Sequence, residues 1–209
     1  LSGENYRAND TLISFTTTAS VLSSFPIVED AEALPPPVFG YAQTLVGAQL
    51  WTIVSDYYTN DDMNPTTAPV NTWDTIKPRL TGNQFYLFDS YLGDATYSSR
   101  LYSNCINLPA ATASNPSPVA TLSFWMSHDS LYSTSNDSLY VFVSNNKGIT
   151  WTRILPGFRR TDLTAAGPYW KQEVVNLSAY NGQTIQIGFE GVSEYGNAFA
   201  LDDIEINVS

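Results

Sequence analysis

Apolar and polar residues alternate with a period of two along most of this chain, the mark of strands with one face buried. The alternation predicts strands at 11–18 (TLISFTTT), 49–55 (QLWTIVS), 84–89 (QFYLFD), 119–127 (VATLSFWMS) and 138–144 (SLYVFVS). It continues at 150–155 (TWTRIL), 170–176 (WKQEVVN), 184–190 (TIQIGFE) and 198–207 (AFALDDIEIN). No helical stripe runs longer than about two turns, and turn clusters such as SNNKG, TAAGP and SEYGN separate the strands. The pattern predicts an all-β sandwich of antiparallel sheets. No repeat points to a propeller or a solenoid.

Two segments interrupt the rhythm. Residues 33–48 hold Pro35, Pro36 and Pro37, which demand a loop or an edge crossing. Residues 56–83 are polar and loop-like around DYYTNDDMNPTTAPVNTWD, and a stretch of that length in a compact domain is functional or ordered by a ligand or ion. Tyr57, Tyr58 and Trp73 within it are either anchors that pack onto the sandwich or a stacking surface for sugar rings or a protein ligand. Residues 1–24 read as a linker or the terminal strand of an upstream domain, with the sandwich over 25–209.

Charge narrows the partners. Nine Lys and Arg against 20 Asp and Glu give a net charge of −11, which repels nucleic acid and anionic lipid surfaces and favours cations. The single cysteine, Cys105, excludes an internal disulfide and a cysteine-based zinc site, which suits an exported bacterial protein better than an animal module. No stretch approaches the ~20 apolar residues of a membrane-spanning helix.

The acidic positions are the most informative. In AFALDDIEIN, Asp202 shares parity with Ile204 and Ile206, so alternation aims it at the core, while Asp203 lies on the solvent side. A buried carboxylate needs a cation or several hydrogen bonds. A second acidic group, Glu29, Asp30 and Glu32 in IVEDAEAL, opens the sandwich, and calcium takes six to eight oxygens of this kind.

The chain resembles the MAM-like and cleaved-adhesin domains in IVEDAEAL and its following aromatic loop. The likeness continues in LSFWMSHDSLYSTSNDSLYVFVSNNKGITWTRI and WKQEVVNLSAYNGQTIQIGFEGVSEYGNAFALDDIEI, in that order, over about residues 25 to 207. Ala31 replaces the usual aromatic of the opening motif, and Asn104 and Cys105 stand where the family often has Ser-Pro. The resemblance implies a jelly-roll sandwich, often calcium-bound, serving as an adhesion or accessory module of exported bacterial proteins, gingipain adhesin regions among them. It implies Glu32 and Asp202 as Ca²⁺ ligands, with Asp89 of YLFDS a further candidate.

Catalytic constellations are sparse. The one histidine, His128, has only the neighbouring Asp129 as a triad partner, and no G-x-S-x-G elbow is present. Residues 144–151 (SNNKGITW) resemble an Asp-box, with Asn146 bonding the turn, Gly148 in a left-handed conformation and Trp151 plugging the core. The expected function is a secreted or cell-surface, non-catalytic binding module for carbohydrate or a host or cell-surface protein, stabilised by calcium. The alternatives are an accessory domain of an exported protease or glycosidase, and a small hydrolase with a carboxylate pair.

Overall fold

The computed structural model describes residues 21–33, 38–56, 76–79, 82–90, 93–128, 137–154, 156–159, 169–196 and 198–209. Among them the alternation becomes thirteen strands, with no α-helix and a 3-10 turn at Ser178–Tyr180. The strands are β1 (Ile27–Glu29), β2 (Tyr41–Val46), β3 (Trp51–Ser55), β4 (Gln84–Phe88), β5 (Ser98–Tyr102), β6 (Ile106–Asn107) and β7 (Ala120–His128). They continue as β8 (Ser138–Ser144), β9 (Thr152–Arg153), β10 (Phe158–Arg159), β11 (Tyr169–Asn176), β12 (Thr184–Val192) and β13 (Phe199–Val208).

These strands form two antiparallel sheets of a jelly-roll β-sandwich. A six-stranded sheet runs β11-β7-β13-β4-β3, with β1 also paired to β13. A seven-stranded sheet runs β10-β8-β12-β5-β2, with β6 beside β12 and β9 beside β8. The opening and closing strands are neighbours, as expected: Ile27, Val28 and Glu29 pair with Ile206, Glu205 and Ile204. Leu22 is also tied in, through a parallel bridge to Ile106 and a 2.9 Å bond from its N–H to Cys105 O. Residues 1–20, including the strand expected at 11–18, lie outside the described residues.

The interior follows from alternation. Leu122, Phe124 and Met126 of β7 meet Ile185, Ile187 and Phe189 of β12, and all are buried. Phe124 meets Phe189 edge-on at 5.0 Å, and Phe88 stacks on Phe199 at 4.9 Å. Gly191 faces that stack, and a Cβ there would lie 2.3 Å from the Phe88 ring, so no other residue fits without displacing it. Trp51 ties the sheets together, its indole N–H donating to Ser99 O at 3.0 Å.

Part of the six-stranded sheet, around β3, β4 and the start of β13, is buried on its other side as well. Val54, Phe85, Leu87, Ala198 and Ala200 form a second apolar cluster with Ile76, against which Trp170 packs. Residues 76–79 cross this face: the Trp170 indole N–H donates to Lys77 O at 2.9 Å, and the Arg79 guanidinium lies 3.4 Å over the Trp125 ring.

Candidate functional site

Two places hold the polar chemistry: an acidic end beside the β1–β13 pair, and the outer face of the seven-stranded sheet. At the acidic end, the buried acid of the opening motif is Glu29, 2% exposed. Its Oε1 accepts the Ala31 N–H at 2.9 Å, and its Oε2 accepts the N–H groups of Val38 at 2.9 Å and Phe39 at 3.4 Å. Burial raises its pKa against the opposing pull of these donors. Burial likewise pushes the Tyr86 hydroxyl well above its usual range, with Glu29 beside it adding to the effect, and that hydroxyl donates to Phe39 O at 3.0 Å. Ala31, at the position of the family's aromatic, is fully buried with a φ of 61°.

Glu32 is exposed instead, and its Oε1 accepts the N–H groups of Asn83 and Gln84, both at 2.7 Å. Asp202 is 5% exposed, but alternation gives the wrong reason. Asp202 pairs with Trp125 and Glu205 with Ser123, so a β-bulge leaves Asp203 and Ile204 both opposite Phe124. The extra residue shifts parity: Leu201 and Ile204 both face the interior, and Asp202 shares its side of the sheet with Ala200 and Trp125. What buries it is the crossing segment. Asp202 Oδ2 accepts the Arg79 N–H at 3.1 Å and Oδ1 the Asp203 N–H at 2.8 Å, while Arg79 pairs with Asp203 through its guanidinium. Asp203, which parity placed towards solvent, is thus half-buried in an ion pair.

Desolvation raises the Asp202 pKa to about 6, with the negative charges of Asp203 and Glu32 adding to the effect. Glu32 and Asp202 are therefore brought within electrostatic reach of one another. Asp89 is not. It follows Phe88 at the far end of β4 from Gln84, about 16 Å along the strand from the Glu32 bond. Its N–H donates to Leu50 O at 2.9 Å. The oxygen-only chemistry of Glu32 and Asp202 fits a hard cation in kind. Their oxygens already accept backbone N–H bonds, however, and no group of three or more His, Cys, Asp or Glu side chains among the described residues could hold a metal ion.

A third buried acid, Asp137, is fully enclosed at the other end of the sandwich. It accepts the Glu194 N–H at 2.8 Å, the Gly196 N–H at 3.2 Å and the Ser90 hydroxyl at 3.0 Å, tying two loops to its own. Sequence offered no signal for it beyond its place one residue before β8. His128 shares the inward parity of Met126, buried with its ring edge-on to Phe199 at 5.8 Å.

Among the described residues the outer face of the seven-stranded sheet is aromatic and open. Register aligns Tyr41, Tyr102, Gly188, Phe142 and Arg153 in one row across β2, β5, β12, β8 and β9. The next row aligns Gln43, Arg100, Glu190 and Tyr140. Tyr41 stacks on Tyr102 at 5.3 Å, and Tyr102 meets Trp151 edge-on at 5.9 Å. The Arg100 guanidinium sits between the rings of Phe142, at 4.6 Å, and Trp151, at 4.7 Å, and pairs with Glu190. Burial and the neighbouring Tyr41 raise the Tyr102 pKa.

Trp151 thus corrects the expectation that it plugs the core: it is half-buried on the outside of the sheet. The hairpin that presents it forms as its residues predict. Asn146 Oδ1 accepts the Thr150 N–H at 2.9 Å, Gly148 has a φ of 78°, and the Trp151 indole N–H closes the turn onto Gly148 O at 3.1 Å. Tyr57, Tyr58 and Trp73 lie outside the described residues.

No family model and no curated protein sequence matches the chain. Solved structures do. The K2 cleaved-adhesin domain of Lys-gingipain superposes with a TM-score of 0.52 at 15% identity, over 88% of this chain and 99% of that one. The chain resembles the cleaved-adhesin domains in fold. The K1 cleaved-adhesin domain of Lys-gingipain from Porphyromonas gingivalis W83 follows at a TM-score of 0.47 and 16% identity, over 88% of this chain and 98% of that one. TmCBM61 in complex with beta-1,4-galactotriose follows at 0.46 and 16%, over 82% of this chain and 90% of that one. At such identities the likeness to the cleaved-adhesin domains concerns the fold alone.

Proposed function

We propose that the chain is a non-catalytic, adhesin-like binding module of an exported protein, taking carbohydrate or a cell-surface protein, with calcium as its stabilising ion. The observation behind this reading is the open aromatic face: Tyr41, Tyr102, Phe142 and Trp151 share one outer surface of the sandwich, half-buried and uncovered by other described strands. Large amphipathic rings with a polar row beside them are the surface that binding partners use. No helix among the described residues is long and apolar enough to cross a membrane. Glycan and cell-surface protein arrays probed with the isolated chain test the proposal, with Trp73→Ala and Tyr102→Ala separating the loop aromatics from the sheet face. Wild-type chain that binds neither array would leave the accessory-domain reading.

Calcium, in the same proposal, is held by Glu32 and Asp202, whose negative charges it would neutralise. Its support is their proximity and the raised Asp202 pKa. An ion bound only by the folded chain adds about 2.7 kcal/mol at a hundredfold excess over Kd. Chelation should therefore lower the melting temperature at pH 7, calcium should restore it, and Asp202→Asn should remove the response. Identical melting in chelator and in millimolar calcium would defeat the calcium part and leave Asp202 as an acid satisfied by backbone donors.

A further inference from the structure

On the aromatic face, two buried polar groups are left incomplete by the fold. Arg100 is 7% exposed and Gln186 9%. Neither the Arg100 Nε–H nor the Gln186 Oε1 has a hydrogen-bond partner. The remainder of each is engaged: Arg100 pairs with Glu190, and Gln186 Nε2 donates to Ser103 O at 2.9 Å. An unmade buried donor or acceptor costs about 1–3 kcal/mol, so nearly all such groups find a partner in the chain, in water or in a ligand.

The two groups flank one tryptophan. Gly188 lets Arg100 and Trp151 pack down onto the sheet: a Cβ there would lie 2.6 Å from Arg100 Cδ and 2.9 Å from Trp151 Cζ3. On the hairpin side, a Cβ at Gly148 would lie 3.5 Å from Gln186 Oε1 and 3.7 Å from Trp151 Cζ2. One incomplete donor and one incomplete acceptor on the same indole match a hydroxyl group, which both accepts and donates. The guanidinium charge is balanced by Glu190, so nothing here selects a phosphate, sulfate or carboxylate. Tyr102 and the stacked Tyr41 extend the aromatic surface beside Trp151.

An aromatic surface, a hydroxyl-matched pair and balanced charge together fit the C–H face and hydroxyls of a sugar ring. We propose that Arg100, Gln186, Trp151 and Tyr102, with Tyr41, form a subsite for one ring of a neutral glycan. The ring lies against the aromatic surface, and a shift of the Trp151 side chain on binding lets its hydroxyls complete Arg100 Nε and Gln186 Oε1, both buried in the free chain. The subsite rests on the carbohydrate reading above and deepens it by naming the face and the class of sugar.

Affinity gel electrophoresis of the full chain tests it. The gels contain soluble xylan, galactan, mannan or mixed-linkage β-glucan as neutral probes, and polygalacturonate or hyaluronan as anionic ones. The expected result is retardation by at least one neutral polysaccharide, weakened about tenfold by Tyr102→Ala and by Gln186→Leu. Tyr41→Ala, on an edge strand, gives the same reading if Tyr102→Ala does not fold. Retardation that survives these variants but disappears in Trp73→Ala would overturn the subsite and leave carbohydrate binding standing. Retardation by anionic polysaccharide alone would overturn the neutral class. Binding to no polysaccharide, with capture by a cell-surface protein array, would overturn the subsite and the carbohydrate reading together.

Discussion

The two sheets of this sandwich have opposite outer faces. On the six-stranded sheet, Phe85, Leu87 and Ala200 are at most 1% exposed, sealed beneath Ile76 and Trp170. On the seven-stranded sheet the corresponding outward positions hold Tyr41, Tyr102, Tyr140 and Phe142, which stay partly in water. Both faces arise from the same alternation of side chains. The difference lies in cover: residues 76–79 cross one face and lock onto it through Lys77 and Arg79, while among the described residues the other is roofed by its own Trp151 hairpin alone. The covered face serves stability. The open one retains rings that another molecule can still desolvate.

Substitution on the covered face should produce the largest loss of stability. Phe85→Ala removes a fully buried ring and should cost about 3–5 kcal/mol, lowering the melting temperature by roughly 10 °C or more, as scanning calorimetry would read. A shift within about 2 °C would mean that this face is not a second core.

The next effect is the pH dependence that the crossing segment imposes. Its burial of Asp202 raises that carboxyl from 3.8 to about 6. Between those values the folded state holds a proton that the unfolded state has released. In chelator, stability should therefore fall as pH rises from about 4 to about 6 and level off above it. Melting curves at pH 4, 5, 6 and 7 should show this fall in the wild type and a smaller one in Asp202→Asn, where the raised carboxyl of Glu29 still contributes; parallel profiles would remove Asp202 as a cause. Calcium, where it binds, should reverse the fall at pH 7 and lose its effect near pH 4, where protons compete for the ligands.

Smaller effects belong to the open face. Tyr41→Ala should change stability by less than about 1 kcal/mol in urea titration while weakening glycan binding, a separation that no position on the covered face should show. Smallest of all, Ile149→Ser at the hairpin tip, where Ile149 is 81% exposed, should stay within about 0.5 kcal/mol of the wild type.

The long strands were legible because alternation sets which side chains are buried: β7, β8, β11, β12 and β13 fall within one or two residues of the predicted segments. Strand β2 was lost inside a segment read as a loop or an edge crossing, since an edge strand with no buried side chain has no parity to betray it. Strand β5 opens Ser-Ser-Arg, yet all three residues are buried, Arg100 between two rings. Nothing in a polar triplet announces that. In the acidic motif, Glu29 shares parity with Ile27, and that spacing could have marked it, rather than Glu32, as the interior acid. Asp202 misled by the same logic, because an extra residue at the bulge reverses the parity on which the argument depended. Trp151 needed knowledge of which sheet surface its hairpin would fold over, and that is set by the distant Gly188.

Strand β13 is hydrogen-bonded to β1, β4 and β7, so the six-stranded sheet is organised around residues 199–208. During synthesis at roughly 5–20 residues per second, Ile27 waits on the order of ten to forty seconds for its partner Ile206 to be made. Until then β1 and β4 lack the strand that joins them to β7, and the sandwich cannot close. The sandwich therefore stays open until β13 is made, and a ribosome that stalls after β12 leaves behind a sticky half-sandwich for proteases to clear.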